Sequence, residues 1–217
     1  MAVQLQGNSG VTAEVEANTR AMRVVIRPAD VGALGSYEIS ETSGTMAAGL
    51  AASSPIYSFR WGSASGLAVI RSIYMSAGNA GTAFAAGIGT FKLIAARSFT
   101  VADTGGTAIA VTGNNAKMRT SHGTSLLSDA RIASTATLTA GTRTLDATAI
   151  GCITIPVSTA ASTSLLSPGT KIFDAGSSQE YPLILAQNEG FVITATVPAT
   201  GTWAFAVNVE WDEVVSF

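Results

Sequence analysis

The sequence predicts an all-β protein, an antiparallel β-sandwich, and three observations carry that expectation. The stretch "TGTWAFAVNVEW" at 200–211 alternates large apolar residues with small or polar ones without a break, the period-2 pattern that sends successive side chains to opposite faces of a sheet. Gly-, Asn- and Ser-rich turn material recurs between short β-branched and aromatic runs, with no strand–helix alternation of the kind that builds parallel sheets. No twelve-residue window shows clean helical periodicity, although "AEVEANTRAM" at 13–22 is compatible with a helical turn or two.

In chain order, "MRVVIR" groups Met22, Val24 and Ile26 opposite Arg23 and Arg27, and Pro28 ends it. "PIYSFRW" aligns Tyr57, Phe59 and Trp61, and "LAVIRSIYM" aligns Leu67, Val69, Ile73 and Met75 with Arg71 intruding on their face. After the Gly-rich run "SAGNAGTAFAAGIG", the stretch "GTFKLIAARSFTV" puts Phe91, Leu93 and Ala95 together. "ITIPVS" at 153–158 and "YPLILA" at 181–186 each carry a Pro, which marks an edge strand or a strand start. "FVITATV" collects Phe191, Ile193, Ala195 and Val197, and "PATG" at 198–201 has the Pro and Gly that a hairpin connection wants. The chain is therefore expected to end in a long antiparallel hairpin. Its last strand would turn Trp203, Phe205, Val207, Val209 and Trp211 to the core and Ala204, Ala206, Asn208, Glu210 and Asp212 away from it.

Eight or nine such strands in a chain of 217 residues suit one sandwich of the jelly-roll type, with 103–131 as surface loop. No linker composition or fixed-period repeat divides the chain. Residues 1–20 are read as an N-terminal arm and 21–217 as the sandwich, because "AVQLQGNSG" has little to bury. Within the arm, "VTAEVEA" alternates Val11, Ala13, Val15 and Ala17 against Thr12, Glu14 and Glu16, the pattern of a strand that adds to a neighbour's sheet edge.

Composition narrows the function classes. Charged residues make up 12% of the chain, about half of the ~25% usual in soluble domains. With a net charge of -2 and scattered Lys and Arg, no basic stripe exists to drive nucleic-acid binding by counterion release. No apolar run approaches the ~20 residues of a membrane-spanning helix. "MAVQLQGNSG" lacks the basic start and apolar stretch of a secretory signal, so the chain is expected to fold where it is made. Cys152 stands alone, which excludes an internal disulfide and fits a reducing compartment. A mean hydropathy of +0.37 with so few charges points either to an exterior partly covered by other subunits or to a surface merely rich in Ala, Gly, Ser and Thr.

The residues capable of chemistry read more simply as structure. Asp103 opens "DTGG", similar in three letters to an aspartic-protease loop, but an Asp-x-Gly turn is the ordinary source of such a string. Ser9 in "GNSG" has no strand-to-helix elbow to expose it. His122 in "RTSHGTS" has Ser121, Ser125 and Asp129 nearby as triad material, but a loop histidine bonded to its own turn is the favoured reading of the string. Glu14 with Glu16, and Glu210 with Asp212 and Glu213, are conceivable carboxylate pairs for glycoside hydrolysis. On a strand, Glu210 and Asp212 share one face and read as a solvated, edge-protecting surface. One His and one Cys make no zinc site, and no calcium loop or phosphate-cradling motif occurs. No catalytic, cofactor-binding or metal-binding residue is expected, and the chain is read as a non-enzyme.

The strings "AEVEANTRAMRVVIRPADVGALGSY", "TGNNAKMRTSHGTSL" and "NEGFVITATVPATGTWAFAVNVEWDEV" resemble those of small virion structural proteins of tailed bacteriophages. The resemblance implies a capsid decoration or cement protein, non-enzymatic, with a jelly-roll or related sandwich. It implies the major capsid protein as partner, self-association as a dimer or trimer on the lattice, and assembly on the virion in the host cytoplasm. A tail or head–tail adaptor protein, or a carbohydrate-binding module of a virion fibre, are the alternatives it leaves open.

Overall fold

The computed structural model describes residues 34–47, 50, 53–157, 159, 164–176 and 182–215, with backbone alone for 164–168. The expected arm at 1–20, the helical turn at 13–22 and the strand at 22–27 lie outside the described residues. Among the described residues the chain forms thirteen strands and no helix. They are β1 (Gly35–Thr42), β2 (Met46–Ala47), β3 (Ser54–Trp61), β4 (Leu67–Asn79), β5 (Gly87–Phe99), β6 (Thr107–Ala108) and β7 (Asp129–Ile132). After these come β8 (Arg143–Leu145), β9 (Gly151–Val157), β10 (Ser164–Asp174), β11 (Leu183–Leu185), β12 (Glu189–Thr196) and β13 (Thr202–Val214).

All pairings are antiparallel and fall into two sheets. The first runs β1-β13-β4-β10, with β2 continuing along β13 and β11 along β4. The second runs β6-β7-β3-β12-β5, and its far edge is shared by β8 and β9, both paired with β5. Their inner faces meet in one core, as period-2 alternation requires of a sandwich. Trp211 of β13 meets Phe59 of β3 edge-on at 5.3 Å, and Trp203 of β13 meets Phe91 of β5 at 5.8 Å, so the two ends of one strand each hold the opposite sheet. A run of rings, Tyr37, Trp211, Phe59, Phe191 and Tyr57, continues through both layers at centroid spacings of 5.0–6.1 Å. The indole N–H groups of Trp61, Trp203 and Trp211 all find acceptors, on Gly66 O, Ala47 O and Glu213 Oε1.

The expected inward faces of β3, β5 and β13 are buried as the alternation predicts. β9 is an edge strand with Pro156 exposed, which suits a residue without an N–H to donate.

Two sequence readings are corrected. β12 and β13 do not form a hairpin: β12 lies between β3 and β5 in one sheet, and β13 lies between β1 and β4 in the other. The turn at 198–201 therefore carries the chain across the sandwich, with Thr200 and Gly201 at φ 63° and 93° making the sharp reversal. Both strands are apolar on the face they turn inward, so a pattern that reads as one hairpin serves equally for two strands facing each other. The second correction concerns β4. The β4–β13 register shifts between Glu210 and Trp211, pairing Glu210 with Ser72 and Trp211 with Ile70. Arg71 is the extra residue of this bulge. On one side of it Ile73, Met75 and Ala77 face the core, on the other Ile70 and Ala68 do, and Arg71 is turned out rather than intruding.

Trp203→Ala removes a fully buried ring that touches both sheets and should lower stability by about 3–5 kcal/mol, with Phe205→Ala in the same range. Urea melts of the two variants beside the parent check this, and a midpoint shift close to zero would place that face outside the core.

Candidate functional site

Asp103, His122, Ser121, Ser125 and Asp129 lie on one long excursion, residues 100–142, which leaves β5 and returns through β6 and β7 to β8. β5 and β7 are separated in their sheet by β12 and β3, so the excursion has to travel from one region of the sheet to the other. Its β7 pairs with β3 and carries β6 along its other side, so part of it lies within the second sheet, and buried carboxylates hold the rest at two places.

The first is Asp103. Its carboxylate is completely buried, accepts the Gly141 N–H at 2.9 Å and pairs with the Arg143 guanidinium, itself almost buried and 5.6 Å over the Phe99 ring. Thr104 and Thr139 exchange main-chain hydrogen bonds at 2.9 Å beside it. The turn reading of Asp103 is thus too weak: this carboxylate joins the outgoing and returning arms of the excursion.

The second is the C-terminal end of β13. Glu213 is completely buried; Ser125 Oγ donates to its Oε1 at 2.6 Å, the Leu126 N–H reaches both oxygens at 3.1 Å, and Trp211 Nε1 donates at 3.2 Å. Asp212, pointing to the other face, is equally buried, accepts from Ser36 Oγ and lies 3.6 Å from Arg71 Nε. The solvated reading of this cluster is overturned for Asp212 and Glu213; only Glu210 is half-exposed, with Ser72 Oγ donating to it at 2.7 Å. Burial pushes both buried carboxyls above the ordinary carboxylate range, against the pull of their hydrogen bonds and, for Asp212, of Arg71. Tyr37 beside them is pushed up to about 12 by burial and by the Glu213 charge, and its hydroxyl donates to Gly123 O at 3.0 Å.

His122 belongs to the same region. Its ring does not bond to its own turn; Nδ1 accepts the Ser36 N–H at 3.1 Å, on β1. Ser36 O accepts the Met118 N–H, Ala116 O accepts the Glu38 N–H and Tyr37 bridges Lys117, so residues 116–122 cover the outer edge of β1. The structure brings His122, Ser125, Asp212 and Glu213 to one end of the sandwich in two separate sets: Ser36 donates its N–H to His122 and its Oγ–H to Asp212, while Ser125 donates to Glu213. Ser125 faces Glu213 rather than His122, and Asp129 is paired with Arg131 on β7. The arrangement latches chain segments together. Cys152 is exposed on β9. Ser9, Glu14 and Glu16 lie outside the described residues. Among the described residues no group of three or more His, Cys, Asp or Glu side chains could hold a metal ion. Arg143, Ser36 and Tyr37 carry much of the latching and had no local signal, since their partners lie far off in the chain.

A separate feature lies on the outer face of the first sheet, where Ser40, Tyr74, Ser76, Gly169, Ala206 and Asn208 line an open groove of about 360 Å³. Gly169, at φ 74°, faces open space there. Comparison with family models, curated proteins and solved structures finds no match to this chain.

Two outcomes follow from the latches. Asp103→Asn leaves Arg143 buried without its counter-charge and should destabilise by about 3–5 kcal/mol; Asp103→Leu with Arg143→Met should recover much of the loss, as read from urea midpoints. The raised carboxyls of Asp212 and Glu213 mean that the folded chain binds protons more readily than the unfolded one. Their contribution is therefore most favourable below the unfolded carboxylate pKa of ~4 and is lost as pH rises through the folded values. Glu213→Gln should flatten the dependence of the urea midpoint on pH above ~4. An unchanged pH slope would show that Glu213 ionises as it does in the unfolded chain.

Proposed function

We propose that this chain is a jelly-roll structural protein of a tailed-bacteriophage virion, acting as a head decoration or cement protein on the outer capsid surface. The observation that carries the reading is strand order. Eight strands have seven residues or more. Numbered by their succession, they lie 1-8-3-6 in one sheet and 2-7-4-5 in the other, the arrangement of two interleaved Greek keys. Viral capsid and lectin domains both use such a fold, and fold alone does not choose between them. The resemblance of the terminal strings to phage virion proteins favours the capsid. So do the few charges and the buried carboxylates of Asp103 and Glu213, which are occupied in latching roles.

On this reading the mechanism is mass action. A protein that binds only the assembled lattice stabilises it by its binding free energy at every occupied position. The partner is the major capsid protein, and self-association on the lattice would place copies at subunit junctions. The arm, residues 1–20, would add a strand to a neighbour's sheet edge on assembly.

The test is co-sedimentation of the purified chain with undecorated heads, beside its copy number in purified virions. Saturable binding to heads and a copy number in the hundreds are expected on the order of magnitude set by one copy per lattice junction. A few copies per particle, or no binding to heads, would overturn the cement role in favour of a tail or adaptor protein. A chain beginning at Ala21 should keep its melting temperature and sediment less completely with heads; equal sedimentation would make the arm passive.

A further inference from the structure

Basic side chains are few in this protein, twelve Lys and Arg in 217 residues, and most of those among the described residues are engaged. Arg71, Arg97, Arg131, Arg143 and Lys171 each lie beside a carboxylate, and Arg60 donates to the carbonyls of Phe99 and Thr100. Lys92, Lys117 and Arg119 form no ion pair with any described acid. Two of these three flank Met118, a large apolar residue that is 59% exposed. The surrounding chain offers them no counter-charge, since residues 104–128 include no Asp or Glu. Lys117 Nζ donates to the neutral Asn114 Oδ1 at 3.1 Å, and the carboxylate of Glu38, whose N–H bonds to the loop, accepts from Asn208 Nδ2.

These side chains project from a main chain that is already fixed. Ala116 O accepts the Glu38 N–H at 2.8 Å, the Met118 N–H donates to Ser36 O at 3.0 Å, and His122 Nδ1 accepts the Ser36 N–H at 3.1 Å. Ala116 packs against the core at φ 65°, a left-handed conformation that an alanine takes only under constraint. A loop fixed in this way loses little conformational freedom when a partner binds, so more of its contact energy appears as affinity. An exposed methionine alone is ordinary. Here it stands between two cations without counter-charges, and protein interfaces are enriched in both Met and Arg. The Arg119 guanidinium is a planar fork that fits a carboxylate at two points. A phosphate backbone would satisfy the cations but leave Met118 without an apolar partner, and the net charge of -2 opposes a polyanion.

We propose that Lys117, Met118 and Arg119 form a docking surface for an acidic protein patch, in which carboxylates face the two cations and an apolar recess takes the Met118 side chain. On the capsid reading, on which this inference rests, that patch lies on the outer surface of the assembled head.

Co-sedimentation with undecorated heads is measured for the parent chain, Met118→Glu and Arg119→Glu, with Ile88→Glu as a control on the other sheet at a residue 61% exposed. Met118→Glu and Arg119→Glu should each weaken binding about tenfold or more while keeping the parent's urea midpoint, and Ile88→Glu should bind as the parent does. Binding of the parent should weaken as NaCl is raised from about 50 to about 300 mM. Parent-like binding by Met118→Glu and Arg119→Glu, an equal loss in Ile88→Glu, or indifference to salt would each overturn this surface and leave the capsid reading standing. Heads that fail to bind the parent at all would overturn the capsid reading and this inference with it. A DNA duplex bound by the parent and lost in the same two variants, with binding to heads unchanged, would overturn it in favour of a nucleic-acid surface.

Discussion

Five side chains on one face of β13, Trp203, Phe205, Val207, Val209 and Trp211, set the constraint on which the rest of the structure depends. All five are buried. β13 pairs with β1 and β2 along one side and with β4 along the other, so it lies at the centre of its sheet. Its two indoles reach Phe59 and Phe91, on two different strands of the opposite sheet. Each large apolar side chain contributes roughly 1.5–3 kcal/mol on burial, and a slip of one residue would turn all five to the other face. Register, sheet pairing and the spacing of the two layers thus follow from one alternation. The bulge at Arg71 belongs to the same constraint: it lets β4 keep apolar residues inward on both sides of a charged one while β13 runs past it.

The polar interactions answer a different problem, that of an excursion of about forty residues between β5 and β8. Lengthening a loop adds little closure entropy, but a long segment lying on a sandwich brings polar groups under cover, and these need partners. Asp103 with Arg143 and Gly141, and Glu213 with Ser125, Leu126 and Trp211, supply them. The two latches differ in kind. Asp103 faces a buried cation, whereas Glu213 faces only neutral donors, and burial pushes it toward its protonated form against their pull. The excursion also covers the outer edge of β1, an edge that would otherwise offer open main-chain groups to another chain.

What the sequence made legible was local. The alternation in β3, β5 and β13 identified their inward faces, and Pro156 marked β9 as an edge, because a two-residue period and a missing N–H act over a few residues. Which strands pair was not legible: β12 and β13 share the same pattern whether they lie in one sheet or face each other across two. The phase change at Arg71 was hidden because a bulge appears only against a partner strand. The latches were hidden for the same reason. Asp103 finds Arg143 forty residues on, and Glu213 finds Ser125 across 88 residues, with no spacing rule connecting them. Asp212 and Glu213 looked solvated because carboxylates near a strand end usually are. The groove depends on residues contributed by β1, β4, β10 and β13, and only the sheet pairing brings them together.

If β13 organises the fold and the parts of the excursion outside β6 and β7 are latched onto the sandwich, the two should differ in local stability. Native-state hydrogen exchange followed residue by residue measures that difference directly. The account predicts that the amides of β13, β4, β12 and β5 exchange only through global unfolding, while those of the excursion outside β6 and β7 open at lower free energy as one or two cooperative units. Exchange of the β13 amides together with the excursion, or ahead of it, would contradict the account and show that the latches, rather than the apolar face, hold the two sheets together.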